Sequence, residues 1–163
     1  MVETIQQGII PRQFEIFAGL DVDKSRMAVT FTDHERVLKS LQMPYSSEHL
    51  LNYLGKHFAD RKIALAYEVG PTGFGLYDDL TAAGHRCLVV APAMVPTAPG
   101  KRVKTNRLDS RKLSEGLRGG QLHSIHIPSE LYRQLRHLVQ LRDSTGRNLP
   151  IATAAVCWLL VHE

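Results

Sequence analysis

The sequence predicts an α/β domain: a mixed five-stranded sheet with helices on both faces, followed by a long C-terminal helix. Three observations predict it. Three strand-like runs follow one another between residues 14 and 43 with short polar turns. Two further apolar runs, at 62–69 and 87–91, are each preceded by a helical pattern, and helical periodicity takes over from about Arg107.

Phe14 to Val22 alternates and then runs apolar, as a strand entering a core does. Met27 to Thr32 is a second strand, and Asp33-His34-Glu35-Arg36 is a polar turn. Val37 to Met43 is a third, alternating Val37, Lys39, Leu41 and Met43, so the start reads as an antiparallel meander. Ser46 or Ser47 caps a helix whose buried stripe is Leu50, Leu51 and Leu54. Lys62 to Val69 is the fourth strand, and Ile63-Ala64-Leu65-Ala66-Tyr67 lacks alternation because a central strand is covered on both faces. Gly70-Pro71-Thr72-Gly73 turns the chain into a helix with Leu76, Tyr77 and Leu80, ending at Gly84. Cys87 to Ala91 is the fifth strand, stopped by Pro92. Pro96 to Lys104 reads as a mobile basic loop, Arg107 to Leu117 as a helix closed by Gly119-Gly120, and Ser129 toward Arg147 as the long helix. The organisation is thus a flexible leader over 1–13, the α/β domain over 14–127, the long helix within 128–149 and an apolar tail over 150–163.

At 163 residues the chain is one domain's worth, and its 44% hydrophobic and 22% charged residues are those of a globular protein with a full core. Charge is uneven. Lys101, Arg102, Lys104, Arg107, Arg111, Lys112 and Arg118 face only Asp109 and Glu115, seven against two, so this segment alone exceeds the chain's net +4. Such a field suits a phosphate backbone, and equally a solvated helix face. Cys87 and Cys157 are isolated in apolar surroundings, without the spacing of a metal site or disulfide framework. No apolar run reaches the roughly 18 residues of a membrane span, and the N-terminus lacks a signal-peptide succession, so the chain reads as soluble and cytoplasmic.

The candidate chemistry lies in three acids. Gly19-Leu20-Asp21 ends one apolar run, Tyr67-Glu68 ends another, and Asp109 follows Lys104-Thr105-Asn106-Arg107-Leu108. The element order β-β-β-α-β-α-β-α matches the ribonuclease-H-like fold. There the first and fourth strands lie side by side, so Asp21 and Glu68 meet at one edge and Asp109 approaches from a helix packed over them. Carboxylates so placed can hold divalent metal for phosphodiester cleavage. Each piece has a bland alternative: a turn at Gly19-Leu20-Asp21, punctuation at Gly70 to Gly73, surface charge at Lys104 and Arg107. On the long helix, Leu135, Leu138 and Leu141 read as packing residues, while Arg133, Arg136 and Arg142 could line a phosphate track.

From about Phe17 to Arg147 the chain resembles the DEDD transposases of the insertion-sequence one-ten type, whose N-terminal domain is RuvC-like. The residues that carry this are Gly19 through Ser25, Glu68 through Gly73, Val90-Ala91-Pro92, Lys104 through Ser110, and Pro128 through Leu135-Arg136 to Leu141-Arg142. The resemblance implies a transposase or recombinase that cuts and rejoins DNA strands to move a mobile element. It also implies an Asp-Glu-Asp-Asp set for Mg²⁺ or Mn²⁺, a separate C-terminal domain bearing a serine nucleophile, and an element-encoded guide RNA. Residue by residue, Asp21 takes the first position, Glu68 the second and Asp109 the fourth. One ion would sit with Asp21 and Glu68 and a second near Asp109, while Lys101, Arg102, Lys104 and Arg107, with Arg111 and Lys112 of the same segment, hold the DNA backbone.

Two departures stand out. The third acidic position falls on Asn106, which keeps a carbonyl oxygen for the metal but loses a charge; Asp23 reads as structural rather than as a replacement. The chain also ends at Glu163, before any serine domain, and its apolar tail calls for a partner surface. Two other functions stay open: a non-catalytic DNA- or RNA-binding remnant, on account of these departures, and an actin-like kinase or ATPase lobe, because Gly19-Leu20-Asp21 with a three-strand start also resembles that fold's first phosphate loop. Self-association through the long helix is expected from its amphipathic pattern.

Overall fold

In a computed structural model that describes residues 8–70, 73–91 and 106–144, the chain opens with a meander of β1 (Ile16–Val22), β2 (Arg26–Thr32) and β3 (Val37–Pro44). There follow α1 (Ser47–His57), β4 (Ile63–Glu68), α2 (Gly75–Ala82), β5 (Arg86–Val90), α3 (Asn106–Arg118) and α4 (Glu130–Ser144). The strands order as β3-β2-β1-β4-β5. β1–β2 and β2–β3 pair antiparallel, β1–β4 and β4–β5 parallel. This is the mixed five-stranded sheet expected from the sequence. The basic loop over 96–104, with Lys101, Arg102 and Lys104, and the tail over 150–163 lie outside the described residues. Among the described residues no helix is long and apolar enough to cross a membrane.

Local chemistry fixes the turns and ends. Between β2 and β3 the Asp33 carboxylate accepts from the backbone N–H groups of Glu35 and Arg36, both at 2.7 Å. Those bonds, that of Arg36 first, hold its carboxyl below the ordinary value. Between β1 and β2 the Asp23 carboxylate accepts from the Lys24 N–H at 2.7 Å, and the Asp23 N–H donates to the Arg26 carbonyl at 2.9 Å, which makes Asp23 a turn residue. Ser46 caps α1, its hydroxyl accepting from the His49 N–H at 3.3 Å. Leu50 and Leu54 of α1 are buried as expected, Leu51 half-buried.

Strand alternation sends two residue sets to opposite faces of the sheet. One face carries Ile16, Ala18, Leu20, Met27, Val29, Phe31, Leu65 and Tyr67, all buried. Here Phe31 stacks on Tyr53 of α1, with ring centroids 5.4 Å apart. The other face gathers Phe17, Ala64, Ala66, Leu88 and Val90 with Leu113 and Leu117 of α3, Leu122 and Ile9. Residues 8–13, expected as part of a flexible leader, are instead laid on the domain. Gly8 bridges to His123, Ile9 is only 9% exposed and Pro11–Gln13 forms a 3-10 turn. The reason is the apolar Ile9 side chain, which finds a place among leucines. Residues up to His126 form one compact unit; α4 belongs to a second, and on it Leu131, Tyr132, Val139 and Leu141 are exposed.

A chain of hydroxyls, two of the three buried, ties α3 to the meander. Thr30 Oγ1 is 2.9 Å from Ser110 Oγ and 2.9 Å from Ser40 Oγ, and Thr30 and Ser110 are fully buried. Thr30→Val keeps the shape and deletes both bonds, so it is expected to lower unfolding free energy by about 1–3 kcal/mol, read as a shift in the urea midpoint. An unchanged midpoint would show that the relay contributes nothing.

Candidate metal centre

The register of β1 against β4 brings the first two acids together. The parallel pairing runs to Leu20↔Tyr67, so the next residues, Asp21 and Glu68, sit side by side at the C-terminal ends of adjacent strands. Strands in a sheet are roughly 4.8 Å apart, and two side chains at matching positions point to the same face. That face is the one α3 covers, because Asp21 alternates with Gly19 and Phe17, and Glu68 with Ala66 and Ala64. Both acids are half-buried. The end of β4 is held firmly: the Val69 N–H donates to the Val90 carbonyl at 2.9 Å, and the Tyr67 hydroxyl donates to the Gly73 carbonyl at 3.3 Å. Burial pushes the Tyr67 phenol far above its ordinary pKa, so it stays a donor.

The direction of α3 brings the third acid to the same edge. Phe17 packs in one cluster with Leu113 and Leu117, and Gly19 lies directly against Ser110, Leu113 and Ser114. From Phe17 toward Asp21, β1 therefore meets ever earlier turns of α3, and the two elements run antiparallel. The positive end of the helix macrodipole faces the strand ends, which favours ionised carboxylates and phosphate there. Asp109 lies in that first turn and is half-buried.

Not every expected partner is free to act. Lys112 Nζ lies 3.0 Å from Asp109 Oδ1, with 25% of the Asp109 side chain exposed, and Arg111 Nε donates to Glu115 Oε1 at 2.8 Å. Two of the six residues expected to bind nucleic acid thus pair along their own helix. Pairs of this helical spacing are worth a few tenths of a kcal/mol and yield to a stronger ligand. Asn106 opens α3, while its side chain and that of Arg107 lie outside the described residues. Among the described residues no three His, Cys, Asp or Glu side chains form a group able to hold a metal ion. The donor set nonetheless fits a hard divalent cation in kind: two adjacent carboxylates, a third on the facing helix, all oxygen ligands.

Sequence reasoning missed what surrounds the acids. Ser40, Thr30 and Ser110 make the hydroxyl chain, and Ala28, Ser40, Leu41, Gln42 and Ser110 line a hollow of about 390 Å³ beside it. One signal was available. Gly19 interrupts a strand, which marks a close backbone approach, and Ser110 and Ser114 are small residues on the leucine face of the helix that approaches it.

The chain and its fold have counterparts among known proteins. A family model described as Transposase, the IS110 type of DEDD transposase, matches residues 18–150. The y4qE protein of Sinorhizobium fredii, which carries the name of a transposase, is 37% identical over 142 residues, covering 83% of this chain and 36% of the relative. The transposase for insertion sequence element IS1533 of Leptospira borgpetersenii is 26% identical, covering 82% of this chain and 41% of that one. The chain thus spans well under half the length of these relatives. Among solved structures, Thermus thermophilus RuvC in complex with a Holliday junction substrate superposes with a TM-score of 0.50 at 11% identity, covering 68% of this chain and 99% of that one. That likeness establishes a RuvC-like, ribonuclease-H-like fold. With the family model covering most of its length, the chain belongs to the IS110-type DEDD transposase family.

Proposed function

We propose that this chain is the divalent-metal-dependent strand-cleaving domain of a DNA transposase, with Asp21, Glu68 and Asp109 as its catalytic carboxylates. The observation that carries the reading is the register that sets Asp21 beside Glu68, at the sheet edge where the first turn of α3, which includes Asp109, begins. A bound Mg²⁺ or Mn²⁺ would supply charge neutralisation at a scissile phosphate and acidification of a water or hydroxyl nucleophile. Asp21 and Glu68 present adjacent oxygen donors. Asp109 would add its own once it exchanges the Lys112 ammonium for the ion, and Asn106 would contribute a neutral carbonyl oxygen. Lys101, Arg102, Lys104 and Arg107, with Lys112 once released, would hold the DNA backbone. In the two relatives such a domain forms part of a longer chain, so cutting and rejoining by the whole protein, an element-encoded guide RNA and a cytoplasmic setting belong to the same proposal. So does self-association through α4, supported by its exposed Leu131, Tyr132, Val139 and Leu141.

A second reading is a DNA-binding remnant without turnover. It is favoured by Asn106 at an acidic position and by the Lys112 ion pair on Asp109. An anomalous-scattering map from crystals soaked in millimolar Mn²⁺ separates the two. Ions ligated by Asp21, Glu68 and Asp109 are expected; an empty edge would leave the remnant standing.

A further inference from the structure

We propose that the hollow floored by Ala28 is a nucleotide subsite, holding one unpaired nucleotide of DNA next to the phosphate that Asp21 and Glu68 face. The inference rests on the proposed cleavage site and extends it to how the strand is seated. Position is the first support. Asp21 pairs with Ala28, and Ala28 pairs with Gln42, so with Glu68 these residues form one row across four strands on the α3 face. At roughly 4.8 Å per strand, Gln42 stands about 10 Å from Asp21, a span that a single nucleotide bridges. Within that row the residue between them is Ala28, whose side chain is a single methyl group.

The lining chemistry is the second support. The hollow of about 390 Å³ is lined, among the described residues, by Ala28, Ser40, Leu41, Gln42 and Ser110, which offer hydroxyl and amide groups with apolar surface and no carboxylate. A Gln amide offers both donor and acceptor, as the edge of a base requires, and the small Ala28 side chain beside it leaves room for the ring. Volume falls in the roughly 300–1,000 Å³ range of small-ligand clefts, room for one nucleotide and not for a duplex. A second hollow of about 330 Å³ continues past Gln42 to Met43, Pro44, Ser25 and the exposed Arg26, which places a cation where the next phosphate would lie.

Rigidity is the third support. Thr30 holds Ser40 and Ser110 at 2.9 Å each, so the wall nearest α3 is fixed before any ligand arrives, and less freedom is lost on binding.

The test is fluorescence anisotropy of the full chain with a short labelled oligodeoxythymidylate, its abasic counterpart and a duplex of equal length. Gln42 is exposed, so Gln42→Ala leaves the fold intact. It is expected to weaken binding of the single strand roughly 5- to 10-fold, as loss of a base hydrogen bond does, and to leave the abasic strand unaffected. Arg26→Ala is expected to lower the salt slope by about one phosphate contact for both single strands. Equal affinity of wild type and Gln42→Ala for the base-bearing strand overturns the subsite, as does the same Gln42 dependence with duplex. If Lys104→Ala still weakens binding in that case, the parent reading survives alone; if wild type binds no DNA at all, both fall.

Discussion

Gly19→Ala is expected to destabilise the domain by about 3 kcal/mol or more, at the top of the usual range for overpacking a core. A methyl group at residue 19 would run into the Ser110 carbonyl oxygen, the Ser114 backbone nitrogen and, at 2.9 Å, the Leu113 Cβ. Two of these are backbone atoms inside a helix and cannot rotate away, so α3 must back off β1. Withdrawal opens the cluster of Phe17, Leu113 and Leu117 and strains the Thr30–Ser110 hydrogen bond. It also carries Asp109 away from Asp21, so divalent-ion affinity should fall with stability. Urea unfolding measures the first effect as a lower midpoint at unchanged slope. Gly55 in α1 is the control: nothing lies within 4 Å of a Cβ there, and Gly55→Ala should be neutral or stabilising by about 0.5–1 kcal/mol. A Gly19→Ala loss below about 1 kcal/mol would mean that helix and strand can separate cheaply, and the close approach would then not fix the site.

Much of this architecture is legible in the sequence because its signals are local. The alternation of Val37, Lys39, Leu41 and Met43, the polar turn at Asp33, the cap at Ser46 and the unbroken apolar run of β4 each arise within a few residues. Placing Asp21 beside Glu68 needed one further step, the parallel neighbourhood of the first and fourth strands, which the element order supplied. What escaped depends on partners distant in the chain. Thr30 and Ser110 are 80 residues apart, and neither hydroxyl advertises a buried bond when read alone. Ile9 looked like part of a leader because the short Ile9-Ile10 pair before Pro11 has no periodicity; Leu113 and Leu117 of α3, Leu122 and the sheet face beneath them give it a place. The ion pairs of Lys112 with Asp109 and Arg111 with Glu115 were hidden in plain view, at helical spacings of three and four. Counting seven cations against two acids gave the charge of the segment but not which of them pair.

Asp21→Asn is expected to lower Mn²⁺ affinity on the order of 100-fold, since even outer partners of a metal site commonly cost 10- to 100-fold when lost. The substitution keeps volume and one carbonyl oxygen but removes a formal charge from the pair that β1 and β4 set side by side. On the proposed assignment Asn106 would be a neutral ligand where the family pattern has an acid, so the site would have little charge to spare, and a second neutral donor should weigh heavily. The thermal readout follows from linkage. An ion that binds only the folded state adds about 2.7 kcal/mol at a hundred times its Kd, so Mn²⁺ should raise the Tm of the wild type and barely move that of Asp21→Asn. Lys104→Ala should behave in the opposite way. It keeps the metal-induced shift while reducing the salt slope of DNA binding by about one, because a phosphate contact is electrostatic and indifferent to the ion-binding carboxylates. This crossed pattern separates a metal-dependent cleavage site from a merely basic DNA-binding surface. Equal Mn²⁺ affinity in wild type and Asp21→Asn would remove Asp21 from the site, and with it the main reason for reading the paired strand ends as a catalytic centre.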